Sequence, residues 1–243
     1  MVIVTGTKRS GTSMWMQILR AGGLEVVGEP FPASWGDSIR EANPHGFYES
    51  TLRKGIFYLT NPDPKTGSFF PPGPTRHHAV KVFIPGLVRT DLAFVHRVIA
   101  SMRHWREYGP SLGRLYAMED VWLEARRGED PDDARWKTAR SPLPPAIEWW
   151  FDNYELVRDA ATRRYPIHLV TYDSLLRDPA AVLDKVFPWL GAGDATAALD
   201  AVRPQARTQT ERAAGAEGVE PEDAAVFDEL YRLCDAGEPL SGD

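Results

Sequence analysis

"VIVTGTKRSGTSMWMQILRAGG", Val2 to Gly23, has the layout of a strand, a glycine loop and a helix. Val2 to Thr5 is short, β-branched and apolar without alternation, the pattern of a central parallel strand buried on both faces. Gly6 and Gly11 bound the loop, and Met14, Ile18 and Leu19 then recur at helical spacing until Gly22 and Gly23 stop the helix. A loop of this kind aims backbone N–H groups and the positive end of the helix dipole at one point. Lys8 and Arg9 add full charges there, and Ser10, Thr12 and Ser13 add hydroxyl donors. Glycines that only shape a tight turn, with hydroxyls that only cap the helix, are the alternative. Two cations and three hydroxyls in one loop predict a bound phosphate or sulfate.

Working outward, "AVKVF" (Ala79 to Phe83), "FVHRVIASM" (Phe94 to Met102) and "IHLVTY" (Ile167 to Tyr172) read as further strands. Helical patterns fall at Leu52 to Leu59, after Pro85, at His104 to Arg126, at Ile147 to Arg163 and at Pro179 to Leu190. Gly109-Pro110 is expected to interrupt or kink the third of these. Alternating strands and helices predict a three-layer α/β domain with a central, mainly parallel sheet and a P-loop-like strand, loop and helix at its start. Pro and Gly crowd residues 61–78, and charge followed by Pro fills 127–145, so both are expected to be flexible surface loops, with Phe69 and Phe70 as a lid.

The 243 residues, 43% hydrophobic, suffice for one substantial core, and a single domain over 1–243 is expected. A formal charge of −6 without a long basic run speaks against nucleic-acid binding. The one cysteine, Cys234, excludes an internal disulfide framework and a cysteine-only metal site, and fits a reducing compartment. No apolar run reaches the ~18 residues of a membrane span, and a strand at Val2 leaves no room for a leader. The expectation is a cytoplasmic protein with no membrane partner.

The triphosphatase loop G-x-x-x-x-G-K-[ST] places Lys where Thr12 stands, so a triphosphate would lack its main counter-charge here. "KRSGTSM" instead resembles the 5′-phosphosulfate loop of the sulfotransferases that use 3′-phosphoadenosine 5′-phosphosulfate (PAPS). The resemblance implies Arg9 as catalytic cation, with Lys8, Ser10, Gly11, Thr12 and Ser13 around the 5′-phosphate. Family members also bind the 3′-phosphate through an Arg at a strand end and a Ser eight positions later, which Arg103 and Ser111 match in "RHWREYGPSL". "AVKVFIP" is similar to the strand that carries a Lys, here Lys81, and "LVTYDSLLRDP" to the region whose Tyr, here Tyr172, lies near the adenine. The four segments keep the family's order and span Val2 to about Leu190.

The chain also departs from the family pattern. Phe83 stands where cytosolic sulfotransferases have the His that serves as base, and Met14 follows the hydroxyl pair where Trp is common. The C-terminal cofactor loop has no matching motif; Arg203, Arg207 and Arg212 are candidates, Arg207 foremost.

Sulfuryl transfer needs alignment and cations where charge builds on the departing phosphate, for which Arg9 and Lys81 are the choices. No metal is expected: PAPS is the donor and adenosine 3′,5′-bisphosphate the product. An acceptor hydroxyl benefits from a base, and "ANPHGFYES" offers Glu49 first and His45 second. Turn chemistry and helix-end charge are the plainer reading of that segment. A small-molecule or carbohydrate acceptor is expected, with Trp35, Phe47, Tyr48, Phe69, Phe70, Trp105, Tyr108, Trp149 and Trp150 available to line its pocket. A small-molecule P-loop kinase using Lys8 or Arg9, and a nucleotide-binding module without catalysis, are the alternatives.

Overall fold

The computed structural model of the chain describes residues 1–31, 43–63, 65–125, 140–207, 209, 212–213 and 215–237. In chain order the elements are β1 (Val2–Thr5), α1 (Thr12–Ala21), β2 (Val26–Val27), a 3-10 turn (Thr51–Lys54), β3 (Ala79–Lys81), α2 (Ile84–Leu87) and a second 3-10 turn (Leu92–Phe94). They continue with β4 (Arg97–Met102), α3 (Trp105–Ala125), α4 (Pro145–Arg163), β5 (Ile167–Thr171), α5 (Tyr172–Arg177), α6 (Pro179–Leu190), α7 (Ala195–Leu199) and α8 (Pro221–Ala236).

The five strands form one all-parallel sheet in the order β2-β3-β1-β4-β5, with Ile3 opposite both Val80 and Val98. Successive residues of a strand point to opposite faces, and both faces of this sheet are covered. Val2, Val4, Ile99 and Val170 pack with Ile18 of α1 and with Leu183 and Phe187 of α6, whereas Ile3, Val80 and Val98 pack with Leu87 of α2 and Leu156 of α4. Each such side chain, removed from water, contributes roughly 1.5–3 kcal/mol before the entropy of ordering is counted. Helices on the two faces of a parallel sheet make this a three-layer α/β fold. A third cluster, Trp105, Tyr108, Trp149, Phe227 and Tyr231, joins α3 and α4 to α8, a helix the sequence pattern did not predict.

Several elements differ from expectation, and β3 ends at Lys81 rather than Phe83, which caps α2. Only one 3-10 turn forms within residues 52–59, because the amides of Ile56 and Tyr58 donate to the Thr90 hydroxyl (3.1 Å) and the Asp91 carboxylate (2.7 Å) instead of closing a helix. β4 starts at Arg97 rather than Phe94, whose carbonyl accepts from the Met1 amino group. β5 ends at Thr171, whose hydroxyl accepts from the Ser174 amide at 3.0 Å and so caps α5; Tyr172 is thus helical. Finally, α3 runs through Gly109-Pro110 without a break. Proline at 110 cannot donate to the carbonyl of Arg106, and the amide of Ala213 donates to it instead, at 3.2 Å.

Residues 61–78 carry an antiparallel bridge between Pro62 and Phe69, and the Asn61 amide donates to the Phe70 carbonyl at 2.7 Å. The Phe70 ring lies 6.4 Å from that of His78, whose carbonyl accepts from the amide of Val2. This segment therefore sits at the N-terminal ends of the strands, the far end from the glycine loop, and is no lid over it. Of the other expected loop, residues 126–139 lie outside the described residues. No described helix is long and apolar enough to cross a membrane.

Candidate functional site

In parallel sheets ligands gather at the C-terminal strand ends where chain order reverses. Here that place is the end of β1, flanked by β3 and β4. The loop that leaves it is pressed onto β4. A Cβ on Gly6 would stand 2.3 Å from the Ser101 carbonyl oxygen, and one on Gly11 would stand 2.7 Å from the Tyr172 ring; both glycines have positive φ. The Ser101 hydroxyl donates to the Ser10 carbonyl at 2.7 Å. Ser10 itself donates twice to the Thr7 carbonyl, from its hydroxyl (2.8 Å) and its amide (3.3 Å), so its side chain shapes the loop rather than facing a ligand. Gly11 caps α1 with no side-chain bond, and the first turn contains no acid. The amides of Thr12 and Ser13 are consequently open to an anion at the positive end of the helix.

Arg9 holds a left-handed backbone, φ 63°, unusual for a non-glycine residue. Its Nε donates to the Ser111 hydroxyl at 3.4 Å, and a guanidinium nitrogen of Arg103 donates to the same oxygen at 3.1 Å. α3 delivers Ser111 two turns beyond Arg103, and the Trp149 indole fixes the Arg103 carbonyl at 2.8 Å. The Arg103 guanidinium lies 4.5 Å from the centroid of the Tyr172 ring. Arg103, Ser111 and Tyr172 are all buried, and the Nε of Arg103 has no hydrogen-bond partner among the described residues. Burial, then the charges of Arg103 and Arg114, pull the Arg9 pKa down to about 10; burial also lowers that of Arg103. Among the described residues neither guanidinium is hydrogen-bonded to a carboxylate. A buried cation and a half-buried one thus share one neutral hydroxyl, an arrangement that an anion between them would relieve.

A second group adjoins the helix end. The Lys81 ammonium, 2% exposed, donates to the Ser13 hydroxyl (3.2 Å) and the Phe47 carbonyl (2.9 Å), and pairs with Oε1 of Glu49 (3.0 Å). Arg53 holds Oε2 of Glu49 at 2.6 Å. Burial lowers the Lys81 pKa and Glu49 opposes it, while Arg53 and Arg9 lower it further. Phe83 offers its ring 5.7 Å below the ammonium.

Other predicted residues stand apart. Lys8 turns toward α4 and pairs with Glu148 at 3.3 Å. His45 is exposed in the turn closed by Asn43 and Gly46. Arg207 pairs with Glu107 (2.7 Å) and Asp173 (2.8 Å), and its guanidinium lies 5.9 Å from the Tyr172 centroid. Arg212 grips the same two acids, and Arg203 instead reaches Gln17. A cleft of about 910 Å³ opens beside Arg207, Arg212, Asp173 and His104. Trp105, Tyr108 and Trp149 belong to the core and Trp150 stacks on Phe227, while Trp35 lies outside the described residues.

Sequence reasoning missed Ser101, Glu107, Asp173 and the Phe47 carbonyl. Glu107 and Asp173 sit inside segments already singled out, Glu107 buried and Asp173 half-buried among basic residues, and their nearness to those residues in sequence was their only signal. A main-chain carbonyl leaves no mark in sequence. The chain matches no model of a known protein family, and a search of curated proteins returns no significant match.

Proposed function

We propose that this protein is a sulfotransferase that moves a sulfuryl group from PAPS to a hydroxyl or amine of a small-molecule or carbohydrate acceptor. The observation that carries the reading is the pair of half-buried Arg9 and buried Arg103, sharing Ser111 and lacking a carboxylate partner among the described residues, at one side of an uncapped helix start. That spacing suits a ligand with two separate anionic groups: one on the amides of Thr12 and Ser13, the other on Arg103 and Ser111, with the adenine near Tyr172. A triphosphate, with contiguous charge, would leave Arg103 unused. The likeness of "KRSGTSM" and of the Arg103 and Ser111 spacing to PAPS-dependent enzymes points the same way.

In the proposed reaction the acceptor oxygen or nitrogen forms a bond to sulfur while the bond from sulfur to the bridging oxygen breaks, and the electron pair leaves with the 5′-phosphate. Arg9 and Lys81 stabilise the charge on that oxygen. Glu49 takes the acceptor's proton at Oε2, once the acceptor displaces Arg53, the more exposed of its two cationic partners at 31%. That both Glu49 oxygens are occupied, and that Phe83 supplies no base, favours a second reading, nucleotide binding without transfer.

Calorimetric titration with adenosine 3′,5′-bisphosphate, ADP and ATP tests the first step. Tight binding of the bisphosphate alone is expected, and Arg103→Ala should weaken it by roughly 3 kcal/mol, about 150-fold in Kd. Equal binding of all three nucleotides would refute the reading. Tight bisphosphate binding with no sulfated product from any hydroxyl or amine acceptor supplied with PAPS would leave the second reading standing.

A further inference from the structure

The two cations that hold Glu49 are unequally placed. The side chains of Glu49 and Lys81 are 5% and 3% exposed, whereas that of Arg53 is 31% exposed. Arg53 is therefore the partner that an incoming molecule reaches first. Its Nη1 donates to Oε2 of Glu49 at 2.6 Å, and Oε2 is the oxygen that receives the proton in the proposed reaction.

The main chain is pinned on both sides of this pair. The Arg53 amide donates to the Ser50 carbonyl at 3.2 Å, and the Arg53 carbonyl accepts from the Phe83 amide at 3.0 Å. A Cβ on Gly86 would stand 2.7 Å from that same carbonyl oxygen, so α2 lies directly against it. The Glu49 carbonyl accepts from the Glu29 amide at 3.3 Å. The pair can thus open by rotation of the Arg53 side chain, with neither segment displaced.

What that rotation costs depends on what the guanidinium meets. Lys81 stays on Oε1, so Glu49 keeps one cation, but Arg53 gives up a carboxylate in a partly buried place. A neutral acceptor offers no charge in exchange. A carboxylate on the acceptor replaces like with like, because the planar guanidinium fork fits either one. The exchange also makes Glu49 the better proton acceptor, since one of the two cations that favour its ionised form has left.

We propose that Arg53 selects acceptors carrying a carboxylate near the hydroxyl or amine to be sulfated, and that this carboxylate frees Oε2 of Glu49 by drawing Arg53 away. The inference rests on the transferase reading and names its acceptor class. When the acceptor oxygen or nitrogen bonds to sulfur, its proton passes to Oε2, and the electron pair of the breaking bond from sulfur to oxygen leaves with the 5′-phosphate. Product departure returns Arg53 to Glu49, which releases its proton to water.

The test uses the full chain saturated with adenosine 3′,5′-bisphosphate and three hydroxyl probes, each paired with its own methyl ester: methyl β-D-glucuronide, methyl α-D-galacturonide and 4-hydroxybenzoate. Calorimetry reads binding to this complex, and PAPS in place of the bisphosphate reads transfer. At least one acid should bind roughly tenfold or more tightly than its ester and be sulfated in preference to it. Arg53→Gln should abolish that preference, by weaker binding of the acid and unchanged or faster transfer to the ester, with bisphosphate affinity unaltered. Arg53→Lys, which keeps the charge without the fork, should restore part of it. Esters that match their acids in every pair, no binding by any acid, or a preference that survives Arg53→Gln would overturn this assignment and leave the transferase reading standing. Failure of the unmodified chain to bind the bisphosphate would remove both.

Discussion

Gly11 is the residue on which loop, helix and second site meet. It starts α1 with φ 101°, and its missing side chain lets the Tyr172 ring come close enough to lie under Arg103. Gly23, also at positive φ, has nothing within 4 Å of the place its Cβ would take. The two positions therefore separate backbone strain from crowding. Gly23→Ala should cost about 1 kcal/mol, the penalty of a left-handed L-residue. Gly11→Ala should cost roughly 2–4 kcal/mol, since an overpacked contact is added. In urea denaturation, Gly11→Ala combined with Tyr172→Leu should recover part of that difference, and equal losses at the two glycines would show the ring contact to be unimportant. Arg9 belongs to the same scale. Its positive φ turns the side chain onto Ser111, and Arg9→Gly should keep the loop's stability while it removes the cation from the site.

Among the elements, α3 shows how far the sequence was legible. Its approximate length follows from helical spacing, and Arg103 and Ser111 were singled out by the resemblance to sulfotransferases, yet Pro110 argued for a break that does not occur. The break is avoided because the carbonyl that Pro110 cannot serve is taken by the amide of Ala213, about a hundred residues away in sequence, a partner no local pattern reveals. Pro110→Ala would restore a competing donor. Native-state hydrogen exchange should then find the Ala213 amide protected in the unmodified chain and several-fold faster in the variant, with α3 itself no less stable. Unchanged protection at Ala213 would mean that Pro110 has no part in tying down the tail. The same reasoning explains the other differences. β1, α1 and β4 were readable because burial and periodicity are local, so the glycine loop and the Arg103 segment could be placed. Lys81 was singled out by the resemblance of its strand to that of sulfotransferases, but its bonds to Ser13 and the Phe47 carbonyl depend on how three distant segments meet. Arg207 was visible only as one of three arginines, since the acids that hold it, Glu107 and Asp173, come from α3 and α5.

For the molecule as a whole, the linkage between charge and folding is concentrated where the loop touches the outer helices. Lys8 leaves the glycine loop to pair with Glu148 of α4, and one turn further Asp152 faces the same region. Burial, then the charges of Glu148 and Glu155, outweigh the attraction of Lys8 and raise the Asp152 pKa from 3.8 to about 7. Between those two values the folded state holds a proton that the unfolded chain has released, so folding stability falls as pH rises across that window and levels off above it. Asp152→Asn, which cannot ionise, should remove the slope. The variant should match the unmodified chain near pH 4 and exceed it by roughly 1–3 kcal/mol at pH 8, read as a difference in Tm or urea midpoint. Because the carboxylate's partners include Lys8, the substitution also leaves Glu148 as that lysine's acidic neighbour on α4 without a competitor, and the pair should hold the loop at least as firmly as before. A stability difference that stays constant from pH 4 to pH 8 would show that Asp152 is ordinary in its ionisation, and that α4 does not couple the loop to pH.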